Sequence, residues 1–163
     1  SMGNFGAIKK GEIQVMSAGT GIQHSEFNGS KEKPVTLLQI WVIPRENGVE
    51  PRYDQLKISD NAVDNEFQQI VSPNPDDAGV WIHQDAWFHL GSFSQKSNRT
   101  YQLKKEGNDV YVFVISGSLK IGDTVLNQRD ALEIAETDRF DMEIEENSEV
   151  LLIEVPMSLP RVK

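Results

Sequence analysis

Two residues stand out for the chemistry they could do together. His24 and Glu26 lie two apart in the stretch SAGTGIQHSEFN, residues 17–28, just after a turn of small residues. On an extended chain, residues i and i+2 point to the same side, about 7 Å apart. An imidazole and a carboxylate so placed can chelate one divalent ion at about 2.0–2.2 Å. Mixed nitrogen and oxygen donors suit Fe, Mn, Ni or Zn, and positions left open on such an ion can take O2 and a substrate. Two protein donors alone hold a metal weakly. By themselves the pair reads either as half of a metal site or as two surface residues after a turn.

Competing chemistry is sparse. Cysteine is absent, which excludes disulfides, thiolate zinc sites and thiol catalysis. The histidines are His24, His83 and His89. In WIHQDAWFH a regular strand would line up Trp81, His83, Asp85, Trp87 and His89, and His83 with Asp85 could then chelate a metal. A tight turn at Asp85-Ala86 would break that alternation, and a histidine donating to a backbone carbonyl or to Asp85 is the commoner arrangement. No G-x-S-x-G elbow, P-loop or G-x-G-x-x-G after a strand is present. Trp41, Phe113 and Phe140 read as core.

Sixteen basic against 25 acidic residues give a formal net charge of −9, which argues against nucleic acid or an anionic membrane surface as partner. The acid-rich EIAETDRFDMEIEENSEV reads as a solvated face. No apolar run approaches the roughly 20 residues that cross a bilayer, and no signal-peptide pattern is seen, so a cytoplasmic location is expected. The 163 residues can bury a core without staples.

The elements that must position these side chains read as strands. EIQVMSA comes first, and VTLLQIWVIP (35–44) has the apolarity of a strand covered on both faces. EFQQIV and VWIHQDAWFHLGSF follow, and VYVFVISG is apolar on both faces and so central. SLKIGDTVL is a hairpin turning at Gly122-Asp123. RFDMEI alternates cleanly, with Phe140, Met142 and Ile144 to one side, and SEVLLIEV closes the series. Helical periodicity is not sustained anywhere, so the fold class is all-β, a sandwich or barrel. Residues 44–65, rich in Pro, Gly, Asn and charge, read as a connection, giving segments 1–50 and 51–163. A 50-residue β piece is too small to bury its own core. It is expected to pack on the rest, swap into a partner chain, or belong to a missing half.

With the strands placed, a pattern emerges around His24. Gly11, Ser17, Gly19, His24 and Asn28 resemble the second cupin motif, in which a Gly begins a strand, a Pro-x-Gly turn follows and a His enters the barrel. Ser17 stands at the proline position, and two extra residues precede the histidine. The strings MSAGTGIQHSEFN, LLQIWVIPRENGVEPRYDQ and IHQDAWFHLG resemble the pirin family, including its bacterial quercetinase-like members, from Gly3 to Pro156.

That resemblance implies two cupin (double-stranded β-helix, jelly-roll) barrels in tandem. The N-terminal barrel would bind one metal, usually Fe(2+), through an H-x-H pair and a later His and Glu. His24 and Glu26 match the later pair, and the H-x-H pair has no counterpart. Ser1-Met2 reads as the remnant of a cleaved tag, and the chain is expected to start after the upstream pair. It would hold one complete C-terminal barrel (51–163) and the remnant of the N-terminal cupin (1–50). In the C-terminal half the same motif grid puts Val110 and Phe140 in ligand slots, so this barrel is expected to hold no metal, its interior filled by those side chains. The full-length protein is expected to be a metal-dependent dioxygenase acting on quercetin-type small aromatics. Glu26 would serve as ligand or as the base that accepts a hydroxyl proton, and this chain alone is expected to be inactive. The alternative is a non-catalytic module in protein–protein interaction or redox-responsive regulation. A homodimer through exposed N-terminal strands is expected in either case.

Overall fold

The computed structural model describes residues 6–58 and 62–158. Among them the chain forms twelve strands and no α-helix. They are β1 (Glu12–Ser17), β2 (Arg52–Lys57), β3 (Phe67–Ser72), β4 (Val80–Trp81), β5 (Trp87–Phe93) and β6 (Ser97–Gln102). β7 (Asn108–Ser116), β8 (Ser118–Ile121), β9 (Thr124–Asn127), β10 (Ala131–Ile134), β11 (Arg139–Ile144) and β12 (Ser148–Pro156) complete the series.

Two sheets close around the larger core. One runs β10-β7-β12-β5-β3-β4 and the other β6-β11-β8-β9. Val110, Val112 and Val114 of β7 and Val150 and Leu152 of β12 meet Leu119, Phe140, Met142 and Ile144 from the opposite sheet. The alternation in RFDMEI does its work here, burying Phe140, Met142 and Ile144 and leaving Arg139, Asp141 and Glu143 in water. The hairpin turns at Gly122-Asp123, with Ile121 opposite Thr124. Arg129 takes a left-handed φ of 74° just before β10, where Gly11 takes 81° just before β1.

The other face of the six-stranded sheet is covered as well. Phe113, Ile115, Leu151, Ile153 and Val155 turn outward into a second cluster with Ile70, Val71, Val80 and Phe88. Ile13 and Val15 of β1, Leu56 of β2 and Val42 roof it. This double cover explains why β7 and β12 are apolar on both faces, and why the short N-terminal ribbon β1–β2 is stable. Its apolar side packs, partly buried, on a core it shares, so each of its aliphatics contributes only part of the roughly 1.5–3 kcal/mol of full burial.

Three readings are corrected. Residues 35–44 are extended but unpaired: among the described residues no strand is hydrogen-bonded to them. Trp41 is 89% exposed rather than in the core, and Val35, Leu37, Leu38, Ile40 and Ile43 are exposed with it. Apolarity marks a chain that wants cover, and cover needs neighbours that these residues do not have here. The supposed connection 44–65 contains β2, which pairs antiparallel with β1, Gln14 opposite Gln55 and Met16 opposite Tyr53.

Polar contacts fasten the ribbon to the barrel. The Arg52 guanidinium lies 4.0 Å over the Trp81 ring and donates to Trp81 O at 2.5 Å. Gln84 Nε2 donates to Ile43 O at 2.7 Å, and Arg45 N donates to His83 O at 2.7 Å.

Candidate metal centre

The pair His24 and Glu26 is delivered by the turn that ends β1. Gly19 has φ 53°, and a Cβ there would sit 2.0 Å from Val49 O, so only glycine fits this crossing. Thr20 N donates to that same Val49 O at 3.1 Å, tying the turn to the segment that leads into β2. Asn28 closes the far end of the stretch, its Nδ2 donating to Lys33 O at 2.7 Å and its Oδ1 accepting from Ser30 N at 2.9 Å.

Between these two fixings the chain turns back on the ribbon. Ile13 and Val15 face the barrel, so Gln14 and Met16 face the other way, beside Tyr53 and Gln55. His24 Nε2 and Glu26 Oε1 come within 3.9 Å of one another on that side. Gln14 Nε2 donates to Glu26 Oε1 at 3.1 Å. Both side chains remain open, 43% and 39% exposed.

A divalent ion held at about 2.1 Å by both atoms would need them roughly 3.0 Å apart for right-angle bonding and about 3.4 Å for tetrahedral bonding. The observed 3.9 Å is slightly wider, and two open side chains can close that gap by small rotations. In donor type and convergence the pair fits two corners of a metal site. Among the described residues no group of three His, Asp or Glu side chains gathers to complete one.

His83, Asp85 and His89 do not share a face. β4 ends at Trp81 and β5 starts at Trp87, and a bend at 83–85 separates them. His83 packs edge-on against Trp81, ring centroids 4.7 Å apart. Asp85 is bonded by Lys105 and Arg45, and Lys105 first, then Arg45, holds its carboxyl below the usual range. His89 turns into the barrel, where its Nδ1 lies 3.2 Å from the Tyr101 hydroxyl. Val110 and Phe140, in the slots where ligands would stand, are buried in the barrel interior.

The sequence reading missed two sets of residues. Gln14 and Tyr53 share the face of the His24/Glu26 pair, and the alternation of Gln14 with Ile13 and Val15 was the available signal. Glu154 is the other, wholly buried at the barrel's inner wall. A single acid inside the apolar run VLLIEV was its signal, since a buried carboxylate demands donors.

Known proteins resemble this chain in sequence and in fold. Residues 69–155 match the model of the quercetinase C-terminal cupin domain, and residues 1–42 match that of pirin. Quercetin 2,3-dioxygenase of Escherichia coli (strain K12) is 35% identical over 156 residues, 96% of this chain and 66% of that protein. The crystal structure of YhhW from Escherichia coli superposes with a TM-score of 0.89 at 34% identity, covering 98% of this chain and 66% of that one. Bacterial pirin YhhW in complex with nickel(II) gives a TM-score of 0.82 at 33% identity over 90% of this chain and 62% of that one. The chain thus spans slightly less than two thirds of the length of these relatives.

Proposed function

This chain belongs to the pirin family, and from that premise we propose that His24 and Glu26 are two ligands of a mononuclear metal centre in a dioxygenase for quercetin-type small aromatics. The observation that carries the reading is the convergence of His24 Nε2 and Glu26 Oε1 at 3.9 Å, beyond a turn that admits only glycine at position 19. A relative of the same fold holds nickel(II), and the donor set suits Fe(2+) equally. The remaining ligands would come from an H-x-H pair outside this sequence, and the chain alone is then inactive.

A divalent metal there would bind the adjacent oxygens of the substrate and bring O2 beside them. Glu26 accepts the hydroxyl proton as the substrate enters, a transfer that needs it within hydrogen-bond reach. His24 fixes one side of the centre. The net acidic, cysteine-free chain fits a cytoplasmic setting.

Iron retention after anaerobic loading and desalting, and quercetin absorbance, both in the longer protein that carries the H-x-H pair, test this. Retention that falls with His24→Ala and with Glu26→Ala, alongside bleaching of quercetin under O2, is expected. Steady quercetin absorbance in an iron-loaded protein excludes the dioxygenase.

A second reading, that of an interaction module, is favoured by the exposed run Val35–Ile43. Extended, apolar and unpaired, such a segment can add a strand from a second copy. Light scattering on this chain should then give a dimer that Trp41→Lys dissociates; a monomer at all concentrations removes that reading.

A further inference from the structure

We infer that Gln14 is a positioning residue for Glu26. The inference rests on the reading of His24 and Glu26 as metal ligands and deepens it.

Gln14 stands on the one rigid element near the pair. Its neighbours Ile13 and Val15 are fixed in the second core, and its own strand is paired with β2 over six residues. His24 and Glu26, by contrast, lie in a segment without regular structure. A carboxylate only accepts hydrogen bonds, so Gln14 must present its amide nitrogen to Glu26 Oε1, 3.1 Å away. Its carbonyl oxygen then faces the Tyr53 hydroxyl at 3.3 Å. The one Tyr53 hydroxyl hydrogen goes to the nearer Gln55 Oε1 at 2.7 Å, and Gln55 Nε2 donates onward to Glu12 Oε2 at 2.8 Å and to Ala7 O at 3.0 Å. Gln14 thus reaches from the outer face of the ribbon to Glu26 Oε1, the oxygen that faces His24.

The consequence is chemical as well as geometric. One lone-pair direction of Oε1 is taken by the amide, which fixes the carboxylate plane and leaves the remaining direction for the ion. Partners of this kind, bonded to a ligand rather than to the metal, typically change metal affinity 10- to 100-fold.

Two NMR measurements on this chain decide the matter. In metal-free protein, Glu26→Ala should move the side-chain amide resonance of Gln14, and Tyr53→Phe should move it less. An unmoved resonance overturns the inference whatever the metal does. In the second, nickel(II) is titrated and paramagnetic broadening is followed at His24, a readout that detects even millimolar binding. Gln14→Met, equal in length but without the amide, should weaken binding about tenfold with an unchanged melting midpoint. Broadening lost with His24→Ala but undiminished by Gln14→Met overturns this inference alone. Broadening absent from the wild type, or indifferent to His24→Ala, overturns the metal reading and this inference with it.

Discussion

The Tyr101 hydroxyl donates to Glu154 Oε2 at 2.8 Å inside the C-terminal barrel. The carboxylate, wholly out of water, also accepts from Lys104 N at 2.9 Å, Lys105 N at 3.0 Å and Asn108 Nδ2 at 3.0 Å. Glu154 thereby pins the β6–β7 loop to the barrel wall, and Asn108 passes the tie on to Asp85 O at 3.2 Å. Removing it strands several buried donors at once, each costing about 1–3 kcal/mol and not additively. Glu154→Ala is expected to destabilise by roughly 3–5 kcal/mol in urea unfolding, and Tyr101→Phe by only about 1–2 kcal/mol. Equal effects of the two would mean that the carboxylate is not the hub.

Because the one phenolic proton goes to Glu154, Tyr101 can only accept from His89, whose Nδ1 therefore carries hydrogen. Burial, with Lys104 adding to it and Asp77 opposing, lowers the His89 pKa to about 4. The unfolded chain has it near 6.5, so between these values the unfolded state takes a proton that the folded state refuses. Stability should fall as pH drops from about 6.5 and level off near 4, by about 3 kcal/mol at most. His89→Asn keeps the donor and loses the titration. Urea midpoints across this window should slope less in the variant, and parallel slopes would refute the assignment.

Arg52 is half of the fastening between ribbon and barrel. It spans the Trp81 ring, the Trp81 carbonyl and Asp54, whose carboxylate it meets at 2.8 Å. Arg52→Ala should cost about 1–2 kcal/mol, a drop in melting midpoint of roughly 2–8 °C for a chain this size. Lysine keeps the charge but not the flat fork, so Arg52→Lys should recover less than half of the loss.

Gly19→Ala sets a Cβ against the Val49 carbonyl in a left-handed backbone. The turn must shift, taking Thr20 and the path to His24 with it. Nickel(II) broadening at His24 is expected to vanish, while slow amide exchange in β7 and β12 stays as in wild type. Retained broadening would show that the turn does not place the pair.

Much of this was legible. β7 and β11 could be read from their patterns because their burial is decided by strand geometry alone, odd residues one way and even the other. His24 and Glu26 were legible by type and spacing, and the structure brings their side chains together. β2 was not, because RYDQLK carries mostly polar residues, and its outward-facing Tyr53 and Gln55 bond one another instead of filling a core. Residues 35–44 misled for the opposite reason, since apolarity alone does not make a strand, and among the described residues no strand pairs with them. Glu154 went unread, and His89 was read without its true partner Tyr101, because a buried polar group is explained by partners from distant strands, which no local window contains.

β12 lies third in the six-stranded sheet, between β7 and β5, and supplies both cores. On the ribosome this order matters. The ribbon leaves the tunnel well before the wall it leans on, which lacks its middle plank until residues 148–156 are made. At about 5–20 residues per second, the ribbon waits on the order of 5–20 s with Ile13, Val15 and Leu56 unsheltered. A stop before β12 would remove the strand that both cores share and forfeit the two together.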